Sequence, residues 1–376
     1  MADIPHRSRR DFLFGRAIIR SVRGVAADAA EGDASGGLTH PSEPRASHSE
    51  RDSWLLEFTR QAMACRWQIL LNSDGVTIGP EAAVDTLEHL EELENQWSVY
   101  REHSLMSRVN REASEREVIV DEDLFELLRL GQRIHEMTDG AFDMTAGPLT
   151  KAWGFYRREG TFPSAEQLAE ALAVVGTRWV ELNPATRAVR YSRPGMEINL
   201  GGIGKGFALD LCSARLRAWG VSDFLFHGGQ SSVVARGRRS AVARGDAAGW
   251  RVGLSHPIWP GVRLAEFDLC DQALGTSGTG RQFFYHQGRR YGHILDPRNG
   301  MPTDTMLSAT VIAPTAAEAD AIATACHVMG VERSIELIES RPDFAALFVL
   351  PGKTREQVDL LPVALAEHQW RIVEKD

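Results

Sequence analysis

Apolar residues recur along this chain at two spacings, which predict a mixture of helices and strands. Over 81–97 they stand three or four residues apart, as on one face of a helix, at Val84, Leu87, Leu90 and Leu93. Asp121 is a residue type that caps helices, and it predicts a second helix that ends before Gly140. Thr315 and Glu318 form a capping-box pattern, which predicts the start of another helix.

Short apolar runs predict strands between and after these helices. The runs lie at 61–71, 224–227, 232–235, 264–270, 307–313 and 344–350, and further helices are predicted at 207–219 and 332–339. Since strands and helices mix without strict alternation, the predicted fold class is α+β rather than a doubly wound sheet.

The first 52 residues are expected to lie outside the folded domain, which we predict to span 53–376. Residues 8–15 read S-R-R-D-F-L-F-G, which resembles a twin-arginine export signal. The apolar region that such a signal needs is interrupted by Arg20 and Arg23, so export to the periplasm and a cytoplasmic location both stay open. Residues 26–53 are rich in small, polar and charged residues, a composition typical of a flexible linker.

The overall composition disfavours several classes of protein. The hydrophobic fraction of 43% and the charged fraction of 25% are those of a soluble globular protein. A net charge of -9 leaves no excess of lysine and arginine to neutralise nucleic-acid phosphates. No apolar run approaches the roughly 20 residues of a membrane helix. The four cysteines lie far apart without a C-x-x-C pair, which disfavours a zinc site or a disulfide framework.

A glycine-rich stretch at 199–210, N-L-G-G-I-G-K-G-F-A-L-D, follows a strand-like run at 196–198 and leads into the helix predicted at 207–219. Glycines let a backbone approach a ligand closely, and a helix N-terminus presents free N–H groups and positive potential. With Lys205 these features suit a phosphate or a pyrophosphate. A tight connection with a surface lysine is the commoner explanation of such a stretch, and its spacing is not the G-x-G-x-x-G of dinucleotide-binding folds.

The helix predicted after Thr315 carries Asp320, Thr324 and His327 on one face, at spacings of four and seven residues. Their neighbours are Ala, Ile and Cys, so this face is expected to pack inward. A buried carboxylate must be paired or bind a metal, and Asp and Thr oxygens four residues apart suit a hard cation such as Mg²⁺. A polar pair at a domain edge fits the same spacing. His327 is expected to be a satisfied core histidine.

Three other segments carry candidate chemistry. Residues 293–300, H-I-L-D-P-R-N-G, contain turn signals that place His293 at the end of a short strand. Residues 274–278, L-G-T-S-G, are predicted to form a small-residue turn with groups that suit phosphate oxygens. For both segments ordinary loop chemistry is the favoured interpretation. Phe142 and Trp153 suit stacking on a planar ring or packing in the core, and the core is favoured.

Eight short motifs, taken in order, make the chain resemble the ApbE family, the FAD:protein FMN transferases. Each motif is weak alone, but their common order over roughly 54–330 is specific. They are the segment at Met63, S-V-Y-R-E-H-S from Ser98, G-A-F-D-M-T from Gly140, N-L-G-G-I-G-K-G from Asn199, H-G-G-Q from His227, T-S-G from Thr276, H-I-L-D-P from His293 and A-D-A-I-A-T-A from Ala319. The resemblance implies a single α+β, T-fold-related domain of mixed sheets flanked by helices.

The resemblance also implies a site, carried over position by position. The implied contacts to the flavin nucleotide are Met63, Tyr100, Ala141, Phe142, Asp143, Asn199, Lys205 and Ile294. The implied Mg²⁺ ligands are the carbonyl of Gly202 and the side chains of Asp320 and Thr324, two residues that the helical spacing also selects. His293 and Lys205 are implied at the reacting centre.

The activity that the resemblance implies is Mg²⁺-dependent transfer of FMN from FAD to a Thr or Ser hydroxyl of an acceptor flavoprotein, with release of AMP. Implied acceptors are membrane-associated redox subunits or extracytoplasmic flavoproteins. An FAD pyrophosphatase and a non-catalytic FAD-binding protein stay as alternatives. Two positions depart from the family pattern: Asn199 stands where Asp is usual, and Met63-Ala64-Cys65 stands where Met-Gly-Thr is common.

Overall fold

The structure, a computed structural model, describes residues 55–73, 78–239, 249–259, 261–279, 282–354 and 356–373, together with the backbone of 20–22. The predicted export signal at 8–15 and the predicted linker at 26–53 lie outside these residues. The helices are α1 (Gly79–Trp97), α2 (Leu105–Glu112), α3 (Glu122–Met137), α4 (Gly147–Ala152), α5 (Ala165–Leu172), α6 (Gly204–Ala218), α7 (Ala316–Met329) and α8 (Val331–Glu339). The strands are β1 (Arg20–Val22), β2 (Leu55–Ala62), β3 (Cys65–Asn72), β4 (Val118–Ile119), β5 (Val180–Asn183), β6 (Ala188–Tyr191), β7 (Phe224–Gly228), β8 (Ser232–Arg236), β9 (Trp250–Ser255), β10 (Arg263–Leu269), β11 (Gln272–Gly278), β12 (Phe283–His286), β13 (Arg289–Gly292), β14 (Ser308–Ala313), β15 (Ala345–Pro351), β16 (Val358–Val363) and β17 (Trp370–Ile372).

A large antiparallel sheet organises the described part of the chain, in the order β1-β2-β3-β7-β8-β11-β14-β15-β16. β1, which falls within the predicted leader, pairs with β2 at the edge of this sheet. Smaller sheets are formed by β17-β10-β9, by β4-β6-β5 and by the hairpin β12-β13. The mixture of antiparallel sheets and helices confirms the predicted α+β class.

The large sheet is covered on both faces, and side chains that alternate along each strand pack on either side. Phe224 and Phe226 of β7 belong to the core that the sheet shares with helices α1, α6 and α7. Leu225, between them, points to the opposite face and packs with Trp250 and Phe267 of the β17-β10-β9 sheet. The fold is therefore layered, with helices on one face of the large sheet and a second sheet on the other.

Several predicted helix boundaries are confirmed by their caps. The side chain of Asp121 accepts the N–H of Leu124 at 2.9 Å and begins α3. The hydroxyl of Thr315 accepts the N–H of Glu318 at 3.3 Å and begins α7. Helix α6 begins at Gly204, three residues before the predicted start at 207, so that Lys205 lies in its first turn.

The prediction of a turn at 274–278 is wrong, because these residues belong to strand β11. Their small side chains instead let helix α7 pack closely against the strand. A Cβ on Gly275 would lie 2.4 Å from the carbonyl carbon of Ala319, since α7 lies directly on this strand. A Cβ on Gly206 would lie 2.1 Å from the carbonyl oxygen of Ala316, where α6 meets α7. Glycine is required at both positions to bring α7 close to its neighbours.

The single strand predicted at 61–71 is in fact two strands joined by a tight hairpin. Met63 and Ala64 form the two-residue turn between β2 and β3, with φ angles of 49° and 58°. Two-residue hairpins favour positive φ at both positions because that twist matches the strands, and Gly or Asn usually marks them. Neither Gly nor Asn stands at positions 63 and 64, so no turn signal marks this hairpin.

We expect Ala64→Gly to stabilise the protein, because glycine adopts a positive φ without the steric cost that alanine pays. That cost of about 1–2 kcal/mol is offset in part by the greater chain entropy of glycine, which leaves a net gain of about 0.5–1 kcal/mol. Urea unfolding measures the change. Ala169→Gly, at an exposed position inside α5, is the matched control and is expected to destabilise by about 1 kcal/mol. Loss of stability in both variants would contradict the strained turn.

Candidate active site

The first turn of α6 meets α7 at a buried carboxylate. Oδ2 of Asp320 accepts the N–H of Gly206 at 2.9 Å and the hydroxyl of Ser232 at 2.8 Å. Nζ of Lys205 lies 3.5 Å from the same oxygen. Burial raises the pKa of the Asp320 carboxyl, and the charge of Lys205 opposes that rise. The inward-packing face predicted for this helix is confirmed, since Asp320 is only 6% exposed.

A second carboxylate holds the same two helices together from the other side. Asp210 of α6 accepts the N–H groups of Ala316 and Ala317, at 2.8 and 2.9 Å, in the first turn of α7. Burial raises the pKa of Asp210 to about 7, although the two N–H groups favour its charged form. Each helix therefore supplies a carboxylate that caps the N-terminus of the other, a reciprocal cap.

Oxygen atoms suited to a hard cation surround Asp320. Both of its side-chain hydrogen bonds fall on Oδ2, so Oδ1 takes part in neither of them. The hydroxyl of Thr324 donates to the backbone carbonyl of Asp320 at 3.1 Å. A Cβ on Gly202 would lie 3.6 Å from Oγ1 of Thr324 and 3.1 Å from the ring of Phe142, so the glycine backbone approaches closely here. The carboxylate of Asp320 and the hydroxyl of Thr324, with a glycine backbone close by, are donor types that fit Mg²⁺.

The oxygen donors at this site do not suit metals that prefer nitrogen and sulfur ligands. Within the described residues, no group of three or more His, Cys, Asp or Glu side chains is placed to hold an ion. A transition-metal centre of nitrogen and sulfur ligands therefore has no counterpart in that part of the chain.

The ammonium of Lys205 is held at the edge of this cluster. Nζ donates to the hydroxyl of Ser232 at 2.9 Å and to that of Ser231 at 3.3 Å. Its side chain keeps 26% exposure, so the charge can also reach a ligand over the glycine-rich turn. The Lys205 ammonium and the positive end of the α6 dipole together favour an anion.

Asn199 shapes the beginning of the glycine-rich turn. Its Oδ1 accepts the N–H of Gly201 at 2.9 Å, while its own N–H donates to the carbonyl of Met144 at 2.7 Å. The strand predicted at 196–198 is reduced to a single bridge between Glu197 and Ala146. Asn199 and Tyr100 line one cavity of about 300 Å³, together with Val99, Lys151, Tyr156 and Glu197. The ring of Tyr100 is 63% exposed and lies 4.7 Å from that of Tyr156.

The loop at 140–145 presents mainly backbone. Ala141 and Phe142 are buried, and so is Trp153, which confirms the favoured core interpretation for the two aromatic rings. The carboxylate of Asp143 accepts hydrogen bonds from the N–H and hydroxyl groups of Thr145 and Thr177. Nδ1 of His135 also lies 3.2 Å from it. Burial alone would raise the pKa of Asp143, but these partners hold it below its ordinary value. The carboxylate therefore anchors the loop.

His293 directly follows β13 and is held in one orientation. Its Nδ1 lies 3.2 Å from the carbonyl oxygen of Gln282, to which it donates. That tautomer leaves Nε2 with a lone pair. Burial lowers the pKa of His293, so the ring is neutral at pH 7. The next residue, Ile294, is buried and accepts the N–H of Thr303 at 3.0 Å through its carbonyl.

His327 is a core histidine, but only one of its ring nitrogens is satisfied. It is fully buried, and Nδ1 lies 2.9 Å from the hydroxyl of Thr303. Its Nε2 has no hydrogen-bond partner among the described residues. Burial lowers the pKa of His327 to about 4, and the nearby His293 makes a smaller contribution to this shift.

The sequence matches known proteins over most of its length, and these matches identify its family. The family model described as "ApbE family" matches residues 63–348. The chain belongs to the ApbE family. A protein of Treponema pallidum named FAD:protein FMN transferase is 33% identical over 70% of this chain and 75% of its own length. A Klebsiella pneumoniae protein of the same name is 31% identical over 68% and 73%, respectively.

Solved ApbE structures have the same fold. The crystal structure of the ApbE protein from Thermotoga maritima matches with a TM-score of 0.72 and 28% identity, over 82% of this chain and 97% of that one. The flavin transferase ApbE from Vibrio cholerae matches with a TM-score of 0.71 and 25% identity, over the same shares. The resemblance read from eight short motifs is thereby confirmed.

Three polar residues that join the ApbE motifs together were not selected from the sequence. Ser232 bonds both Lys205 and Asp320, and only its place just after H-G-G-Q pointed to it. Asp210 is the last residue of the glycine-rich stretch. It is an acidic residue among apolar neighbours of a helix, and that pattern could have indicated it. The side-chain amide of Asn110 donates to the carbonyl of Ile198 and accepts the N–H of the same residue, each at 2.9 Å. No sequence pattern indicates this residue.

Proposed function

We propose that this chain transfers FMN from FAD to a Thr or Ser hydroxyl of an acceptor flavoprotein and releases AMP, with Mg²⁺ as its cation. The observation that carries the proposal is the buried Asp320, set between Lys205 and the glycine-rich turn in a chain of the ApbE family. Relatives in this family are named FAD:protein FMN transferases. A carboxylate, a lysine and a helix N-terminus in contact are groups that phosphoryl-transfer sites use.

The pyrophosphate of FAD would lie over the start of α6. The positive end of the α6 dipole and the Lys205 ammonium would then face the phosphate oxygens and stabilise their charge. Asp320, Thr324 and the carbonyl of Gly202 would hold the Mg²⁺, which supplies neutralisation of the developing charge. Met63, Tyr100, Asn199, Ile294 and the loop at 140–145 are proposed to contact the flavin nucleotide.

His293 is proposed to act on the acceptor hydroxyl. Its Nε2 would take the hydroxyl proton as the oxygen attacks the FMN phosphorus. A phosphoester bond forms between that oxygen and phosphorus, and the bond to the bridging pyrophosphate oxygen breaks. AMP departs with the bridging oxygen and both electrons of the broken bond. The fixed tautomer of His293 leaves this nitrogen ready to accept a proton.

Mass spectrometry of a candidate acceptor tests the proposal directly. Incubation of the acceptor with this protein, FAD and Mg²⁺ is expected to add the mass of FMN at a Thr or Ser, with one AMP released per transfer. Rapid AMP release without an acceptor would favour an FAD pyrophosphatase instead. Tight retention of FAD with no AMP release under either condition would favour a flavin-binding protein.

Candidate acceptors are proposed to be membrane-associated redox subunits or extracytoplasmic flavoproteins, reached by export through the twin-arginine-like leader. Within the described residues, no helix is long and apolar enough to cross a bilayer.

We expect Asn199→Asp to lower the Mg²⁺ concentration needed for half-maximal AMP release, by about tenfold, or about 1.4 kcal/mol. The carboxylate would keep the hydrogen bond to Gly201 and add a negative charge beside the proposed cation site. Asn183→Asp is the matched control, because Asn183 makes the same turn bond to Ala185 at 3.0 Å on an exposed strand end. An unchanged Mg²⁺ requirement in Asn199→Asp would contradict this role of the charge.

A further inference from the structure

Tyr100 presents its aromatic ring from a turn, where neither a helix nor a strand fixes its orientation. The turn joins α1, which ends at Trp97, to α2, which begins at Leu105. A side chain that a ligand must order on binding lowers the affinity for that ligand, and prior ordering by the protein removes this cost. The groups that hold the Tyr100 ring in place therefore affect whatever binds against it.

A second tyrosine, Tyr156, covers one face of the Tyr100 ring. The two ring centroids lie 4.7 Å apart with a tilt of 31°, so the rings meet face to face rather than edge to edge. The hydroxyl of Tyr156 also donates to the carbonyl of Val99 at 2.9 Å. Tyr156 thus contacts both the ring and the backbone of this turn. Since Tyr100 is still 63% exposed, its other face stays open.

The position of Tyr156 is fixed from the opposite side of the site. Tyr156 lies in a short 3₁₀ turn (Phe155–Arg157) that follows α4. Nζ of Lys151, on α4, lies 5.2 Å from the centroid of its ring. The same ammonium pairs with Glu197 at 2.6 Å, two residues before the glycine-rich stretch. Contacts between side chains therefore connect the Tyr100 ring to the segment that leads into the glycine-rich turn.

Both tyrosines line the cavity of about 300 Å³ that Asn199 also lines. Ligand cavities span about 300–1,000 Å³, so this one suits a single ring system rather than a whole dinucleotide. Asn199 accepts the N–H of Gly201, which places the cavity beside the turn proposed to hold the pyrophosphate. One ring end of FAD would therefore lie against the tyrosines, and their aromatic faces favour a planar ring.

We propose that Tyr156 is a positioning residue for the flavin. It holds one face of the Tyr100 ring and leaves the other face for the isoalloxazine ring to stack on. Tyr156 acts through Tyr100 and does not itself contact the flavin. This inference rests on the proposed transferase function, which makes a flavin nucleotide the ligand, and it adds the residue that orders the stacking surface before the ligand arrives.

Titration of FMN with the protein and Mg²⁺ tests this role, because a flavin stacked on a tyrosine loses fluorescence. Tyr156→Ala is expected to weaken FMN binding about tenfold, or about 1.4 kcal/mol, and to reduce the quenching at saturation. Tyr156→Phe keeps the covering ring and loses only the hydrogen bond to Val99, so its affinity should fall less than about threefold. Affinity for ADP, which has no flavin ring, should be unchanged in both variants and reports that the site is folded.

A double variant separates action through Tyr100 from direct contact with the flavin. Tyr100→Ala is expected to weaken FMN binding at least as much as Tyr156→Ala does. Adding Tyr156→Ala to Tyr100→Ala should then change the affinity less than about twofold, because the ring that Tyr156 orders is already absent. Tyr285→Ala is the matched control, since Tyr285 is also exposed and also contacts an aromatic ring, that of Phe283. It should leave FMN binding unchanged.

Unchanged FMN affinity in Tyr156→Ala would overturn the proposal. Additive losses in the double variant would also overturn it, because Tyr156 would then contact the flavin itself. Weaker ADP binding with unchanged FMN binding would place the adenine ring at the tyrosines instead. If the unmodified protein does not bind FMN, the proposed function and this inference fail together. The expected effects on FMN binding, without FMN labelling of any acceptor, would contradict the transferase function alone.

Discussion

Replacement of Asp320 by alanine is expected to abolish Mg²⁺-dependent AMP release from FAD, with a fall in rate of at least about 10³-fold. A bound cation contributes several kcal/mol to the stabilisation of a charged transition state, and each 1.36 kcal/mol changes the rate about tenfold. Loss of this carboxylate also removes the acceptor of the Gly206 N–H, so the start of α6 loses its cap. Chromatographic measurement of AMP over a range of Mg²⁺ concentrations gives the result.

Two comparisons separate the metal role of Asp320 from its structural one. Asp320→Asn keeps an oxygen for the Gly206 N–H but carries no charge, so it should fold normally and still need far more Mg²⁺. Asp85→Asn removes a partly exposed carboxylate that pairs with Arg215 and should keep the Mg²⁺ dependence of the unmodified protein. Full activity in Asp320→Ala at ordinary Mg²⁺ would refute the assignment.

Replacement of His293 by glutamine is expected to slow FMN transfer by about 10²- to 10⁴-fold, the usual contribution of a general base. Glutamine can still donate to the carbonyl of Gln282, so FAD binding should persist. Single-turnover transfer, followed by the mass of the acceptor, measures the rate. His368→Gln, at an exposed position near β17, serves as the control. Equal transfer rates in the two variants would exclude His293 as the base.

The pH profile gives an independent readout for His293. Burial lowers its pKa, and a base must be neutral to act, so transfer should stay fast at pH 7 and fall only below the ordinary histidine range near pH 6.5. His293→Gln has no group to protonate there, so its residual rate should lack this acidic limb. An identical acidic limb in the variant would assign that titration to another group.

Much of the fold was predictable because its signals are local. The spacing of Leu87, Leu90 and Leu93 and the caps at Asp121 and Thr315 are encoded within a few residues, and all three helices form as predicted. The hairpin at Met63-Ala64 was not predictable, because tertiary context holds two residues at positive φ that rarely adopt it alone. Residues 274–278 are small, which is typical of a turn. Only the contact of α7 with β11 shows that their small size lets the helix pack closely on the strand.

The site was predictable in part for the same reason. Asp320 and Thr324 share a helical face, so their spacing alone selected them. The partners of Asp320 come from elsewhere in the chain, 114 residues away at Gly206 and 88 at Ser232. No local pattern reports such pairings. The common order of the family motifs supplied Gly202 and His293, which spacing alone left as ordinary turn residues.

The reciprocal cap between α6 and α7 has a consequence for how the site is loaded. Since Asp210 and Oδ2 of Asp320 already hold the two helix starts together, protein groups alone can fix the backbone of the glycine-rich turn. A cation that takes Oδ1 would then enter without releasing either cap. Many small metal sites acquire their shape only when the ion arrives. Here empty and loaded forms should share one backbone, so that Mg²⁺ and FAD meet a template already set by folding.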